Sequence, residues 1–306
     1  MANYKIKSNL SEKQVELDVS RYFGWITPEG REPFRLLDVD ENITGADTLF
    51  YEGVFPLYLQ FKKSEGLHSI NSIPSSNRIN KSKLEDIRDF RNNLNLDGDP
   101  ILYFQLRKMA KNAVDYQHNI LMQYANTGFS NAIYVAPLTL DKNEYSRTLF
   151  DSVGRYRLEP FYNRNITIRQ RGWLSYIGSI PFLREHVSII PHERVNTNEH
   201  YYSFSPNGTD IAWHSDVLIN SQPSRLSDFL YNLFIDILSS KIEVLSLEHL
   251  SIRLSQTSVF LKTFLEIKNK SPIEIIQKHG NLLREKYDIR QILLFLNNKQ
   301  IIRQSL

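Results

Sequence analysis

The chain has 306 residues, of which 41% are hydrophobic and 23% are charged, a composition typical of globular rather than disordered proteins. It contains no cysteine, which excludes disulfides, thiolate metal sites and thiol nucleophiles and fits a reducing cytoplasm. The net charge is only +3, so nucleic-acid binding would have to come from local clusters of basic residues.

The N-terminal residues lack the apolar segment of a signal peptide. No stretch approaches the roughly 18 consecutive apolar residues that a membrane-spanning helix requires. We therefore expect a cytoplasmic protein without a membrane partner.

The first 140 residues alternate between helical and strand patterns. A helix is predicted over residues 11–23, because Ser11 and Gln14 can form a capping box and apolar residues recur at helical spacing. Apolar runs and turn residues then predict three strands, a loop, and a further set of alternating helices and strands; these are strands 34–39, 46–52 and 56–63, a loop at 64–81, helix 82–94, strand 100–107, helix 115–126 and strand 131–136. This order predicts an α/β fold in which helices flank a mixed central sheet.

The remainder of the chain has a different pattern. Residues from about 141 to 207 form an irregular extension with short strand-like and helical pieces, and residues from about 224 onward predict three or four helices. We therefore predict two domains, a first one of residues 1–215 and a mainly α-helical one of residues 216–306 that serves packing or oligomerisation.

Three polar residues are the main candidates for chemistry. Gln60 and Lys62 lie two apart in a predicted strand, so their side chains leave the same face. If the preceding hairpin turns on two residues, Asp47 lies opposite Gln60 and joins that face. A carboxylate and an amide oxygen can hold a hard divalent cation, and a lysine can orient the attacking water and offset developing charge.

An acidic residue that opens one strand, followed by (D/E/Q)-x-K in the next, resembles the signature of the PD-(D/E)xK, restriction-endonuclease-like nucleases. The resemblance extends over residues 11–136, where the order of elements also matches the superfamily core. It implies a nuclease in which Mg²⁺ or Mn²⁺ is bound by Asp47, Gln60 and a glutamate of the preceding helix. We assign that role to Glu16, because an acid in the first helical turn, such as Glu12, is explained by the helix dipole.

The chain departs from the superfamily pattern at two positions. Ala46 stands where the signature has proline, and Gln60 carries no charge. Three alternatives follow: a catalytically silent nuclease-fold subunit for assembly or nucleic-acid binding, an RNA-directed nuclease, and a metal ligand at Asp38 in place of Asp47. The histidines form no HExxH motif, so a zinc site is not predicted.

Four further residues are candidates for nucleic-acid binding. Gln117 begins the helix before the strand NAIYVAP and, by a looser resemblance, neighbours the active site. Lys63 follows the catalytic lysine, and Arg169 and Arg171 lie in an aromatic-rich segment suited to phosphates and bases. The resemblance further implies a DNA substrate, an anti-phage defence role, and a homodimer or a regulatory partner subunit.

Overall fold

The computed structural model describes ten ranges of the chain, namely residues 4–26, 34–38, 53–75, 80–96, 98–125, 127–157, 181–214, 217–219, 224–258 and 270–296. Within these ranges the protein is a mixed α/β fold with two six-stranded sheets and eight helices. None of these helices has the length and apolar character needed to traverse a lipid bilayer.

The elements of the N-terminal half are β1 Lys5–Ile6, α1 Glu12–Ile26, β2 Phe34–Asp38, β3 Gly53–Phe61, β4 Glu65–Leu67, α2 Lys83–Asn93, β5 Ile101–Gln105, α3 Gln117–Met122, β6 Asn131–Pro137 and α4 Lys142–Arg157. Those that follow are α5 Pro181–Arg184, β7 His186–Ile189, β8 Tyr201–Phe204, β9 Ile211–Trp213, β10 Val217–Leu218, β11 Ser224–Arg225, α6 Leu226–Leu238, α7 Leu247–Thr257, α8 Pro272–Tyr287 and β12 Arg290–Leu296. The predicted α/β class is confirmed, although α3 is shorter than predicted and α4 extends through a region predicted to be irregular.

The two sheets differ in strand direction. The central sheet has the order β11-β7-β6-β3-β12-β2 and is mixed, because β3 runs parallel to β6 and antiparallel to β12. The second sheet has the order β1-β4-β5-β8-β9-β10 and is antiparallel throughout. Parallel strands such as β3 and β6 need a long crossover connection, and the chain between them supplies part of the second sheet.

Both faces of the central sheet are buried. Leu57, Leu59 and Phe61 of β3 pack in one cluster with Val15 and Val19 of α1. On the other face, Tyr58 packs in a cluster with side chains of the second sheet, including Phe104 and Tyr202. The alternation of β3 side chains predicted from the sequence is therefore confirmed, but the face that carries Gln60 and Lys62 lies between two layers of the fold.

Local capping chemistry sets the ends of the helices that were predicted well. Ser82 and Glu85 form a capping box at the start of α2. Ser271 and Glu274 form another at the start of α8, where Pro272 occupies the first helical turn. α8 ends at Asp288, whose φ of 55° is left-handed and turns the chain directly into β12.

The last predicted element of the C-terminal region was wrong in type. Three of the expected helices are present as α6, α7 and α8, but the following apolar run is the strand β12, inserted between β2 and β3. A short continuous apolar run fits a buried strand as well as a buried helix, so periodicity alone does not separate the two. Residues on both sides of the boundary expected near residue 215 thus share one sheet.

The predicted hairpin beside β3 was also wrong. Placing Asp47 opposite Gln60 requires an open edge of β3 along residues 55–60. Leu59, however, pairs with Arg290 of β12 on one side and with Ile133 of β6 on the other. Both edges are occupied because strands distant in the sequence pair with β3, which a turn-based register does not anticipate. Asp47 and the predicted strand 46–52 lie outside the described residues.

Candidate functional site

The end of β3 carries two buried polar side chains on the face that meets the second sheet. Gln60 is 1% exposed and Lys62 is 3% exposed. The backbone N–H of Lys62 donates to the carbonyl of Val135 at 2.9 Å, which continues the parallel pairing with β6. Lys62 Nζ lies 5.9 Å from the centre of the Tyr134 ring. The structure therefore holds Gln60 and Lys62 together, as predicted.

Gln60 presents an unsatisfied acceptor. Its Nε2 donates to the carbonyl of Phe61 at 3.0 Å, whereas its buried Oε1 makes no hydrogen bond. The hydroxyl of Tyr58 and the Nε2 of Gln291, which pair across β3 and β12, also lack partners. An unsatisfied buried polar group costs about 1–3 kcal/mol, so this face offers polar atoms to a bound ion, water or ligand.

Lys62 is anchored by a chain of hydrogen bonds. Its Nζ donates to Gln117 Oε1 at 3.1 Å, and Gln117 Nε2 donates to the carbonyl of Tyr287 at the end of α8. Gln117 is thus the neighbour of the site that the sequence predicted. The arrangement orients the amine, because the second hydrogen bond fixes which end of the Gln117 amide faces Lys62.

Burial perturbs the Lys62 amine. Removal from water lowers its pKa, an effect opposed by the negative charge of Glu12, assisted by Arg107 and opposed again by Asp288. Burial disfavours the charged form of a lysine, and groups perturbed in this way are common in functional sites. Glu12 and Asp288 were not assigned to the site from the sequence, yet their charges act on its lysine.

Glu16 has a different environment from the one predicted. Its Oε2 accepts from Lys13 Nζ at 2.8 Å and its Oε1 accepts from Arg290 Nε. Burial raises the pKa of Glu16, but the hydrogen bonds and charges of Lys13 and Arg290 more than offset it, so the pKa is lowered. Glu16 is therefore an ionised carboxylate with a cation on each oxygen.

The register places Glu16 on the opposite side of the sheet from Gln60. Arg290 pairs with Leu59, and cross-strand partners share a face, so Arg290 points toward α1. Gln60, the next residue along β3, points the other way. The prediction that Glu16 and Gln60 hold one metal ion is not supported by this arrangement. Arg290 itself was missed, because nothing near it in the sequence marks a partner for Glu16.

The site fits a divalent metal only in part. Gln60 Oε1 is a free oxygen of the type that hard cations prefer. Glu16 does not fit, since both of its oxygens bind cations. Across the ranges that the structure describes, no three His, Asp or Glu side chains lie close enough together to hold a metal ion. A metal at Gln60 would consequently need a carboxylate such as Asp47.

The predicted nucleic-acid contacts are described in part. Lys63 Nζ lies 2.6 Å from Glu65 Oε1, and the lysine side chain is 39% exposed. Arg169 and Arg171 lie outside the described residues, so their predicted role stays a prediction.

Comparisons of the chain with protein-family models, with curated proteins and with solved structures find no match. The resemblance to PD-(D/E)xK nucleases therefore depends on the residues quoted above. Any function has to be argued from the chemistry of the site.

Proposed function

We propose that the chain is a divalent-metal-dependent nuclease that hydrolyses phosphodiester bonds, with DNA as its substrate. The observation that carries the proposal is the pairing, on one face of β3, of an unsatisfied amide oxygen at Gln60 with a buried lysine at Lys62. One group can bind a metal ion and the other can stabilise negative charge, which are the two requirements of phosphodiester hydrolysis.

Each residue has a separate role in this proposal. Asp47 and Gln60 would hold Mg²⁺ or Mn²⁺, which supplies a water of lowered pKa when it is bound. Lys62 offsets the charge that develops on the phosphate and orients the attacking water. Gln117 positions the Lys62 amine through the 3.1 Å hydrogen bond. Glu16 is reassigned from metal ligand to partner of Arg290.

Cleavage of plasmid and linear DNA with Mg²⁺ or Mn²⁺ tests the proposal. We expect Asp47→Asn and Lys62→Met to abolish cleavage, because each removes a group needed in the transition state. Lys241→Met is the matched control, since that lysine is 69% exposed and pairs with Asp236 away from β3. Equal cleavage by all four proteins would refute the assigned site.

A second candidate function is a catalytically silent nuclease-fold subunit that serves assembly or nucleic-acid binding. The neutral Gln60 and the full pairing of Glu16 favour it, because together they leave the described part of the site without an available carboxylate. Calorimetry with Mn²⁺ distinguishes the two candidates. Binding that is lost in Asp47→Asn supports the nuclease, and absence of binding supports the silent subunit.

The wider role follows from the resemblance and belongs to the same proposal. We expect an anti-phage defence effector that acts as a homodimer or under a regulatory partner subunit. Protection of cells against phage by the native chain, and its loss in Lys62→Met, would support that role. Competition between DNA and RNA in the cleavage assay tests the RNA-directed alternative.

A further inference from the structure

An open groove of about 690 Å³ lies between the edge of the second sheet and the first turn of α1. Its lining includes Lys5, Lys7, Glu12, Lys63, Tyr103 and Gln105. A volume of this size is typical of sites that bind ligands larger than a single ion. The sequence analysis assigned only Lys63 from this set to nucleic-acid binding.

The sheet register explains why these side chains meet. Lys5 pairs with Leu67, and Glu65, two residues before Leu67, pairs with Tyr103. Cross-strand partners and residues two apart share a face. A lysine, a carboxylate and an aromatic ring therefore stand on one face of three adjacent strands, beside the start of α1.

The charges in the groove are distributed unevenly. Glu65 is satisfied within the wall, because it lies 2.6 Å from Lys63 Nζ and accepts from the backbone N–H of Ser8 at 3.2 Å. Lys5 and Lys7 are exposed. The negative charge of Glu12 acts on the buried Lys62. Positive charge therefore faces the solvent side of the groove.

Basic residues continue beyond the groove. Arg107, Lys108 and Lys111 follow β5 directly and are all exposed. Tyr103 is only partly buried, and its ring centre lies 6.1 Å from that of Tyr201. Exposed cations beside an accessible aromatic ring on a sheet form the combination that binds single strands, where phosphates meet lysines and bases stack on rings.

We propose that this groove binds an unpaired nucleic-acid strand, with Lys5 and Lys7 contacting phosphates and Tyr103 stacking on a base. The inference rests on the proposed nuclease function and names its substrate as single-stranded. A concave groove of this volume accommodates the backbone of a few nucleotides, whereas a duplex would contact only its rim. Glu12 links the groove to the candidate site, because it lines the groove and also acts on Lys62.

Binding is measured by fluorescence anisotropy with a labelled 15-nucleotide oligothymidine, in EDTA so that no cleavage occurs. We expect the double variant Lys5→Gln/Lys7→Gln to bind more weakly and to lower the slope of log K against log salt by about 0.7 for each lysine. Tyr103→Leu should weaken binding about tenfold, because stacking of one base is lost. Tyr103→Phe, which keeps the ring, should bind like the native chain.

Two controls separate these effects from general ones. Lys241→Gln/Lys270→Gln removes two exposed lysines that do not line the groove and should leave the salt slope unchanged. Thermal unfolding of every variant identifies any that fails to fold, and for those the retained ring in Tyr103→Phe provides the comparison. Equal weakening by the two lysine pairs, or unchanged binding by Tyr103→Leu, would overturn the assignment.

A hairpin duplex and an oligouridine of equal length complete the experiment. Tighter binding of the duplex than of the single strand would overturn the proposal, and a preference between thymidine and uridine strands would identify DNA or RNA as the ligand. Failure of the proposed nuclease would leave binding in EDTA intact while cleavage is absent. Failure of the groove would abolish the effects of Lys5, Lys7 and Tyr103 on binding while cleavage persists.

Discussion

The side chains of Glu16 and Arg290 form a buried ion pair at 7% and 9% exposure. Loss of one partner leaves an uncompensated charge in a region of low polarity, which typically costs about 3–5 kcal/mol. We expect Arg290→Met to lower the free energy of unfolding by that amount, as measured by urea denaturation. The double variant Glu16→Met/Arg290→Met should recover much of the loss, because no charge is then left unpaired.

Arg107 offers the matched control for that experiment. It lies 3.5 Å from Asp288, but the two side chains are 50% and 45% exposed. Exposed pairs contribute about 0–1 kcal/mol, so Arg107→Met should change stability little. A similar loss in Arg107→Met and Arg290→Met would show that the burial of the Glu16 pair does not have the effect assigned to it.

Gln60 stands where the superfamily signature most often has an acid, and its Oε1 has no partner in the described part of the chain. Gln60→Glu should tighten Mn²⁺ binding, because a carboxylate is the stronger ligand for a hard cation. Without metal, the variant should melt at a lower temperature than the native chain, since it buries an unpaired charge. Gln105→Glu, an exposed change, is the control, and melting curves with and without Mn²⁺ provide the measurement.

Residue-level predictions succeeded where the reason is local. The common face of Gln60 and Lys62 follows from the two-residue period of a strand, and the nearness of Gln117 to Lys62 followed from the family resemblance. The partner of Glu16 could not be predicted in this way. Arg290 is 274 positions away in the sequence, and only the pairing of β12 with β3 brings it to α1.

At the scale of elements, β12 is the strand on which the central sheet depends. Leu294 is fully buried and pairs with Phe55 on one side and Leu36 on the other. Leu294→Ala should therefore cost about 2–5 kcal/mol, because it leaves a cavity that neighbouring strands cannot fill. Ile252→Ala on α7, where the side chain is 51% exposed, should stay within about 0.5 kcal/mol. Urea denaturation of the two variants gives the comparison.

The helices α2 and α8 could be predicted because their capping residues lie within four positions of the first turn. The strands β4 and β12 could not. β4 has only three residues, too few for a pattern, and the apolar run of β12 is compatible with a helix. Strand order was beyond sequence reasoning for the same reason, since it depends on pairing between distant segments.

At the scale of the whole molecule, stability should depend on pH through three buried histidines. Burial lowers the pKa of His118, His186 and His279 to about 4, although hydrogen bonds to each oppose the shift. The unfolded chain binds protons near pH 6.5, so it takes up more protons than the folded chain between about pH 6.5 and 4. Stability is therefore present above pH 6.5 and is lost as the pH falls toward 4.

The expected loss between pH 7 and pH 5 is on the order of 1–2 kcal/mol for each histidine. Urea denaturation at the two pH values measures it, and His186→Phe should show a smaller difference than the native chain. His186 is the most informative position, because its Nε2 has no hydrogen-bond partner in the described part of the structure. An equal pH dependence in the variant and the native chain would contradict the assignment.

The position of β12 between β2 and β3 also has a consequence during protein synthesis. A ribosome adds roughly 5–20 residues per second, so Glu16 emerges on the order of tens of seconds before Arg290, 274 positions later. For that time the apolar edge of β3 that faces β12 has no partner. The nascent chain therefore exposes an aggregation-prone strand edge until its late residues arrive, and it depends on chaperones or on slow, post-translational completion of the sheet.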